Sequence, residues 1–166
     1  TLSIMGVNSS TIAGAFNWSH KAQGRLLNTV VGTDHWLIEG EHDGYESLTG
    51  YHHRRRLERL GNDGVQLTDS LHGSGLEEPV EVGFLVAPGL EIHRDADGWL
   101  VTENGRRLLL IAHMGRLHGW VEDALEKPMR SWHSPSFGHR LPAKRLVFTG
   151  RMGAGDAAVF NFKTRF

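Results

Sequence analysis

The chain has 166 residues and an almost balanced charge, with 18 Lys and Arg against 19 Asp and Glu. This length suits one domain with a hydrophobic core, and the charge balance gives no basis for nucleic-acid binding. No apolar stretch approaches the roughly 20 residues of a membrane-spanning helix. The absence of cysteine excludes disulfides and thiolate chemistry, so a transition metal would need His and carboxylate ligands.

Short β-prone runs separated by Gly, Asn and Asp occupy the N-terminal half, as in a β-sandwich or barrel. Strands are predicted at residues 2–5, 11–16, 25–31 and 37–41, the last of them leading into a His-Asp-Gly-Tyr turn at residues 42–45. Residues 51–60 and 65–71 are predicted to pair as a hairpin, because the Gly-Asn-Asp-Gly sequence at 61–64 tolerates the positive φ angles of a tight reversal.

The C-terminal half continues the same pattern. A meander is predicted at residues 80–86, 90–93, 100–102 and 107–113, with turns at Asp97-Gly98 and Asn104-Gly105. Residues 124–127 are predicted to form one helical turn ended by Pro128, and residues 131–142 an ordered loop. Two further strands are predicted at 146–150 and 157–163. The expected fold is therefore all-β: a large antiparallel β-sandwich, arranged as a two-sheet meander with little helix, in one domain over residues 1–166.

The segment 39–45 is the most informative for chemistry, because His42 follows a strand and stands beside acidic residues and a glycine. An imidazole in this setting can supply one ligand of a His/carboxylate metal site. A histidine in a turn is also a common structural residue, and the residues by themselves leave both interpretations open.

A basic run at residues 52–56 lies on the next predicted strand. Alternation along a strand directs His52, Arg54 and Arg56 to one face of the sheet and the intervening residues to the other. One face would suit an anionic glycan; salt bridges to acidic residues, namely Glu58, Asp63 and Asp69, are the alternative. His52 and Arg54 are the candidate substrate contacts.

Five tryptophans offer flat apolar faces and N–H donors that can stack on sugars and bind them. Core packing is expected for most of these side chains. Trp18 is the candidate sugar contact among them.

Four short motifs occur in an order that resembles the C-terminal domain of the heparinase II/III-like family. They are His-Asp-Gly-Tyr at 42–45, His-Arg-Arg at 53–55, Leu-Thr-Asp-Ser-Leu-His-Gly-Ser-Gly at 67–75 and Ser-Pro-Ser-Phe-Gly at 134–138. The resemblance implies an α/α toroid followed by an antiparallel β-sandwich. It also implies cleavage of uronate-containing polysaccharides by β-elimination in the cleft between the two.

The same resemblance implies that the catalytic groups come mainly from the toroid, so no catalytic residue is assigned within this chain, and Tyr45 and Tyr51 are expected to be structural. The family's structural metal, commonly zinc, is held by two His and one Asp. His42 matches one of these ligands, Asn17 or His20 is the possible substitute for the Asp, and the second His is expected before Thr1. The chain is accordingly interpreted as a piece of a longer protein.

The implied partners are an acidic polysaccharide and the toroid domain of the same protein, with no nucleic acid or membrane, and with a homodimer left open. The resemblance places the protein in the bacterial periplasm or outside the cell. Two other classes of function remain open: a carbohydrate-binding module without catalysis, and a structural or interaction β-sandwich in which the histidines are incidental.

Overall fold

The computed structural model describes residues 1–164, apart from the side chain of Leu60. The strands, in chain order, are β1 Leu2–Ile4, β2 Thr11–Ile12, β3 Trp18–His20, β4 Gly24–Val31, β5 Trp36–Tyr45, β6 Tyr51–Leu60, β7 Gly64–Gly73, β8 Glu78–Val86, β9 Glu91–Asp95, β10 Gly98–Glu103, β11 Arg106–Met114, β12 His118–Glu122, β13 Leu125–Glu126, β14 Met129–Arg130, β15 Trp132–Ser136, β16 His139–Pro142, β17 Lys144–Met152 and β18 Ala157–Lys163. A four-residue helix, α1 Glu46–Thr49, lies between β5 and β6. Among the described residues, no helix is long and apolar enough to cross a membrane.

Two antiparallel sheets form the sandwich. The larger sheet has eight strands in the order β4-β5-β6-β7-β18-β11-β10-β9, and the smaller has four in the order β1-β8-β17-β12. The remaining short strands pair as the hairpins β2–β3, β13–β14 and β15–β16. The predicted all-β sandwich is confirmed.

The core lies between the two sheets and is rich in aromatic rings. Phe160 of β18 is completely buried and its ring meets those of Phe84 and Phe148 edge-on, at centroid distances of 5.0 and 4.9 Å. Phe148 belongs to β17 and Phe84 to β8, so these contacts join the larger sheet to the smaller. Alternation along β18 accounts for the arrangement, because Phe160 and Phe162 face the core while Val159 and Asn161 face away.

The predicted turn at residues 42–45 is wrong, because β5 continues through these residues to Tyr45. The pairing of β5 with β6 shifts between His42, opposite His53, and Tyr45, opposite Tyr51, which leaves one extra residue on β5 as a β-bulge. Gly44 is needed there because a Cβ atom would collide with the carbonyl oxygen of Ser9. The chain reverses afterwards, through α1.

Other sequence predictions are confirmed or corrected by the pairing. The hairpin of β6 with β7 is confirmed, as is the turn at Asn104 and Gly105, whose φ angles are 50° and 78°. The meander is only partly correct: β9, β10 and β11 form it, whereas β8 belongs to the other sheet. The helical turn predicted at 124–127 is wrong, since β13 begins there, and the loop predicted at 131–142 is the hairpin β15–β16.

The expected core packing of most tryptophans is also wrong. Trp99 is buried, but Trp18 and Trp120 are 48% and 41% exposed, and Trp36 and Trp132 are partly buried. Tryptophan carries an N–H group that needs a partner or water, and this favours positions at the margin of a core.

Candidate functional site

Strands β5, β6 and β7 carry two polar clusters on their opposite faces. We call the first the inner chain; it consists of His42, His53, Asp69 and Arg55 and lies on the face that bears the core residues. We call the second the outer cluster; it consists of Glu41, Arg25, His52, Arg54 and Glu46 and lies mainly on the other face. Because side chains alternate along each strand, neighbouring residues such as His52 and His53 belong to different clusters.

The inner chain is a directed series of hydrogen bonds. Gly44 donates its backbone N–H to Nδ1 of His42 at 3.2 Å, so the neutral His42 ring carries its proton on Nε2. His42 Nε2 lies 3.1 Å from Nδ1 of His53 and donates to it, and His53 Nε2 then donates to Oδ1 of Asp69 at 2.8 Å. The backbone of the bulge thus sets the tautomer of both rings.

Arg55 completes the inner chain at its other end. Its Nε and Nη2 atoms donate to Oδ1 and Oδ2 of Asp69 at 2.7 and 2.8 Å, a two-pronged geometry that favours the ionised carboxylate. Asp69 is completely buried. Burial alone would raise the pKa of Asp69, but the hydrogen bonds from His53 and Arg55 outweigh it and lower the pKa.

The outer cluster is organised by Glu41, which is only 6% exposed. Its Oε1 atom accepts from Nε and Nη2 of Arg25 at 2.8 and 2.5 Å and lies 3.2 Å from Nδ1 of His52. Its Oε2 atom accepts from Nε and Nη2 of Arg54 at 3.2 and 3.0 Å. Burial alone would raise the pKa of Glu41, but its bonds with Arg25, His52 and Arg54 lower it to about 2.

His52 lies between two carboxylates. Its Nε2 atom is 3.2 Å from the carboxylate of Glu46 on α1, while its Nδ1 atom faces Glu41. Hydrogen bonds with Glu46 and then Glu41 raise the pKa of His52, because both stabilise the imidazolium form. In the imidazolium form both ring nitrogens of His52 act as donors, and the outer cluster then contains three cationic side chains.

The residues proposed for a metal do not meet in a complete site. Both ring nitrogens of His42 already have hydrogen-bond partners in the inner chain. Asn17 and His20 are exposed at the β2–β3 hairpin. Residues 1–164 contain no group of three or more His, Asp or Glu side chains placed to hold a metal ion. The side chains in this arrangement do not fit zinc without further donors.

The candidate sugar contacts divide between two surfaces. His52 and Arg54 line one pocket of about 440 Å³ together with Arg25, Glu46 and His72. Trp18 lines a different cleft of about 770 Å³, beside the N-terminal segment and the smaller sheet. His52 and Arg54 are thus brought together, and Trp18 is not with them.

Several members of these clusters were not predicted as site residues. Arg25 lies in no motif. Glu41 falls in segment 39–45 and His53 in the His-Arg-Arg motif, but their roles depend on which strands pair. The Arg55–Asp69 pair depends on a turn that is one residue shorter than predicted: Leu60 pairs with Gly64, whereas a turn over 61–64 would place Arg56 opposite Asp69. Salt bridges from the basic run to Asp69 and Glu58 were the alternative interpretation of that run, and the structure contains both.

Comparison with known proteins gives a family match and a set of structural neighbours. A family model described as heparinase II/III-like, C-terminal, matches residues 1–163. Heparan sulfate lyase HepC from Pedobacter heparinus aligns with a TM-score of 0.68 and 14% identity, over 85% of this chain and 21% of that one. A crystal structure of heparinase III aligns with a TM-score of 0.68 and 16% identity, over 98% of this chain and 22% of that one. The heparinase III BT4657 gene product aligns with a TM-score of 0.63 and 16% identity, over 84% of this chain and 21% of that one. A search of curated proteins finds no match.

At these identities the structural neighbours establish the fold, and the chain spans about a fifth of the length of each of them. The family match covers the two sheets, the bulge with His42 and both polar clusters. The chain belongs to the heparinase II/III-like family, to the part that the family model describes as C-terminal.

Proposed function

We propose that this chain is the β-sandwich part of a polysaccharide lyase that cleaves uronate-containing polysaccharides by β-elimination, and that it forms one wall of the substrate cleft. The family match over residues 1–163 carries the proposal. The solved structures that it resembles, described as heparinase III and heparan sulfate lyase, are about five times as long as the aligned part. The proposed location is the bacterial periplasm or the exterior.

The arrangement of side chains supports a contributing role rather than independent catalysis. β-Elimination needs a base for the proton beside the carboxylate, an acid for the leaving sugar and neutralisation of the carboxylate. Both tyrosines are buried and occupied: the hydroxyl of Tyr45 donates to the carbonyl of Leu2, and that of Tyr51 bonds to the carbonyls of Gly75 and Leu76. Both hydroxyls are engaged by backbone carbonyls, which supports a structural role for the two tyrosines.

The first test of this function is enzymatic. We expect the chain alone to release no unsaturated uronate from heparan sulfate or alginate, and the complete lyase containing it to act on at least one uronate polymer. The new double bond is conjugated with the carboxylate, so product formation can be followed by ultraviolet absorbance, with a mock purification as the control. Product from the chain alone would contradict its contributing role, and a complete protein that cleaves no uronate polymer would favour a carbohydrate-binding module.

The metal is a separate part of the proposal. We propose that His42 holds zinc only where donors from outside residues 1–164 join it, with Asn17 or His20 as the possible third ligand. In the complete lyase, His42→Ala is expected to lower both zinc content and thermal stability, because zinc favours four ligands and loses affinity with each one removed. Elemental analysis and thermal melts with and without chelator measure this, and the exposed His139→Ala is the control. Equal zinc in wild type and His42→Ala would show that His42 is purely structural.

A further inference from the structure

We propose that the outer cluster is a binding site for the acidic group, carboxylate or sulfate, of a polysaccharide, and that Glu41 is its positioning residue. The inference rests on the proposed function for the kind of polymer, and it adds the chemical group recognised and the residues that recognise it. Arg25, His52 and Arg54 would contact the ligand, and Glu41 would act through them.

The first step of the argument is preorganisation. Free arginine side chains lose rotamer entropy when they bind an anion, and like charges held close together repel. Glu41 offsets both costs, since its two oxygen atoms accept from Arg25 and Arg54 and contact His52. Each guanidinium uses Nε and Nη2 for Glu41, and the Nη1 group of each makes no bond to it.

The second step is charge. The pocket that contains the outer cluster is lined by Arg25, Arg54 and His52 and by two carboxylates, Glu41 and Glu46. With His52 protonated, three positive charges face two negative ones. Glu41 is buried beneath the cations, whereas 62% of the Glu46 side chain is exposed. The accessible charge at this pocket is therefore positive except for Glu46.

The third step concerns Glu46 itself. Its carboxylate contacts Nε2 of His52 from α1, a short helix at the rim of the pocket. This carboxylate is exposed, and it contacts His52 from the solvent side, as a carboxylate of a bound polymer would. An acidic ligand would replace Glu46 on His52, and Glu46 is thus a competitor of the ligand.

The shape of the pocket suits a chain rather than a small ion. Its volume is about 440 Å³, and Gly50, Gly73 and Ser74 line it beside the charged groups. These small residues leave room next to the cations. His72 lies opposite His52 across the β6–β7 pair, and burial lowers its pKa. Its Nε2 atom lies 3.0 Å from the hydroxyl of Ser70, so this ring adds a polar group to the pocket beside the cations.

The test compares residues that carry the same charge on the same face. We expect Arg54→Ala to weaken binding of heparan sulfate to the purified chain by about tenfold, since a charge-assisted bond to the ligand is lost. Arg56→Ala removes an equal charge two residues away, but Arg56 is paired with Glu58 and does not line the pocket, so a change below about twofold is expected. Glu46→Gln is expected to strengthen binding about threefold, and Glu58→Gln to leave it unchanged.

Titration calorimetry at fixed salt measures the affinities, and circular dichroism checks that each variant is folded. Two further polymers separate the contributions of carboxylate, sulfate and uncharged sugar to binding: unsulfated heparosan, whose only acidic groups are uronate carboxylates, and neutral dextran. Binding of heparosan identifies carboxylate as the recognised group, whereas binding of heparan sulfate alone identifies sulfate; dextran should not bind. Arg54→Lys keeps the charge but loses the planar fork, and an affinity between those of wild type and Arg54→Ala supports directional bonding.

Equal loss of affinity in Arg54→Ala and Arg56→Ala would overturn the proposal, because it would indicate attraction by overall charge. No binding of either acidic polymer by the folded chain, or equal binding of dextran, would overturn it too. These outcomes are separate from the enzymatic test. A complete lyase that cleaves a uronate polymer while Arg54→Ala leaves affinity unchanged contradicts only the anion site, and acidic-polymer binding without lyase activity contradicts only the proposed function.

Discussion

Asp69→Asn is expected to lower the free energy of unfolding by about 3 kcal/mol at neutral pH, the lower end of the range for breaking a buried ion pair. Asparagine retains the size of the side chain but removes the charge that two donors of Arg55 and one of His53 share. Arg55 is then left beside a neutral amide. Because 29% of the Arg55 side chain is exposed, water partly solvates its charge, and the expected loss of stability lies at the lower end of that range. Urea denaturation followed by tryptophan fluorescence measures the loss.

The pH dependence provides a further check on this effect. The pKa of Asp69 lies below its ordinary value of 3.8, so its stabilising contribution is complete above that value and is lost as the pH falls through the folded-state pKa. The difference between wild type and Asp69→Asn should therefore shrink below about pH 4. Asp97→Asn, an exposed change of the same chemistry, should stay within about 0.5 kcal/mol of wild type. If Asp69→Asn also changed the free energy of unfolding by less than about 0.5 kcal/mol, the inner chain would contribute little to stability.

Phe160→Ala is expected to cost about 3–5 kcal/mol, because it removes a fully buried ring and leaves a cavity between the sheets. The effect should be large at this position, since the ring contacts Phe84 and Phe148 as well as His113, at a centroid distance of 4.9 Å. These partners belong to both sheets and cannot collapse together without moving the strands. Thermal melts and urea denaturation measure the change.

Phe137→Ala is the matched control for the core variant, because it deletes the same ring from a completely exposed position in the β15–β16 turn. It should change stability by less than about 0.5 kcal/mol. A similar loss in both variants would mean that the Phe160 ring is not part of the cooperative core.

The β6–β7 hairpin shows what local sequence can predict. Both strands and their turn are contiguous, but the turn spans residues 61–63 rather than 61–64, and this difference of one residue decides that Arg55 and not Arg56 faces Asp69. The register, and with it the Arg55–Asp69 ion pair, was not predicted; the pairing of the two strands was, because it is local. The alternation that separates His52 and Arg54 from His53 and Arg55 was predicted for the same reason and agrees with the structure.

The β5–β6 register shows where such prediction ends. A glycine after His-Asp is typical of a turn, but Gly44 lies in a β-bulge, where glycine is required by the close approach of Ser9, more than thirty residues earlier in the chain. The direction of the hydrogen bond between His42 and His53 depends on the backbone N–H of Gly44 in that bulge. Likewise, the role of Glu41 depends on the pairing of β4 with β5, which places Arg25 opposite it. These relations are long-range, and no local pattern contains them.

Which strand belongs to which sheet could not be predicted from the sequence either, for a similar reason. A strand with one buried face has the same alternating pattern in either sheet of a sandwich. The segment that became β8 was predicted next to β9, yet it pairs with β1 and β17 across separations of about eighty and sixty residues. The metal prediction at His42 stays a prediction.

The position of β18 has a consequence for how the protein is made. This strand lies between β7 and β11, so the eight-stranded sheet consists of two blocks, β4 to β7 and β9 to β11, until β18 joins them. A ribosome produces β18 after every other strand of the sheet, and β17, which holds the middle of the smaller sheet, emerges only shortly before. Closing such distant pairs requires much chain entropy to be lost before native contacts form, which slows folding. Until β18 is available, the nascent chain can form only two incomplete half-sheets, whose unpaired edges are sites for strand pairing with other chains.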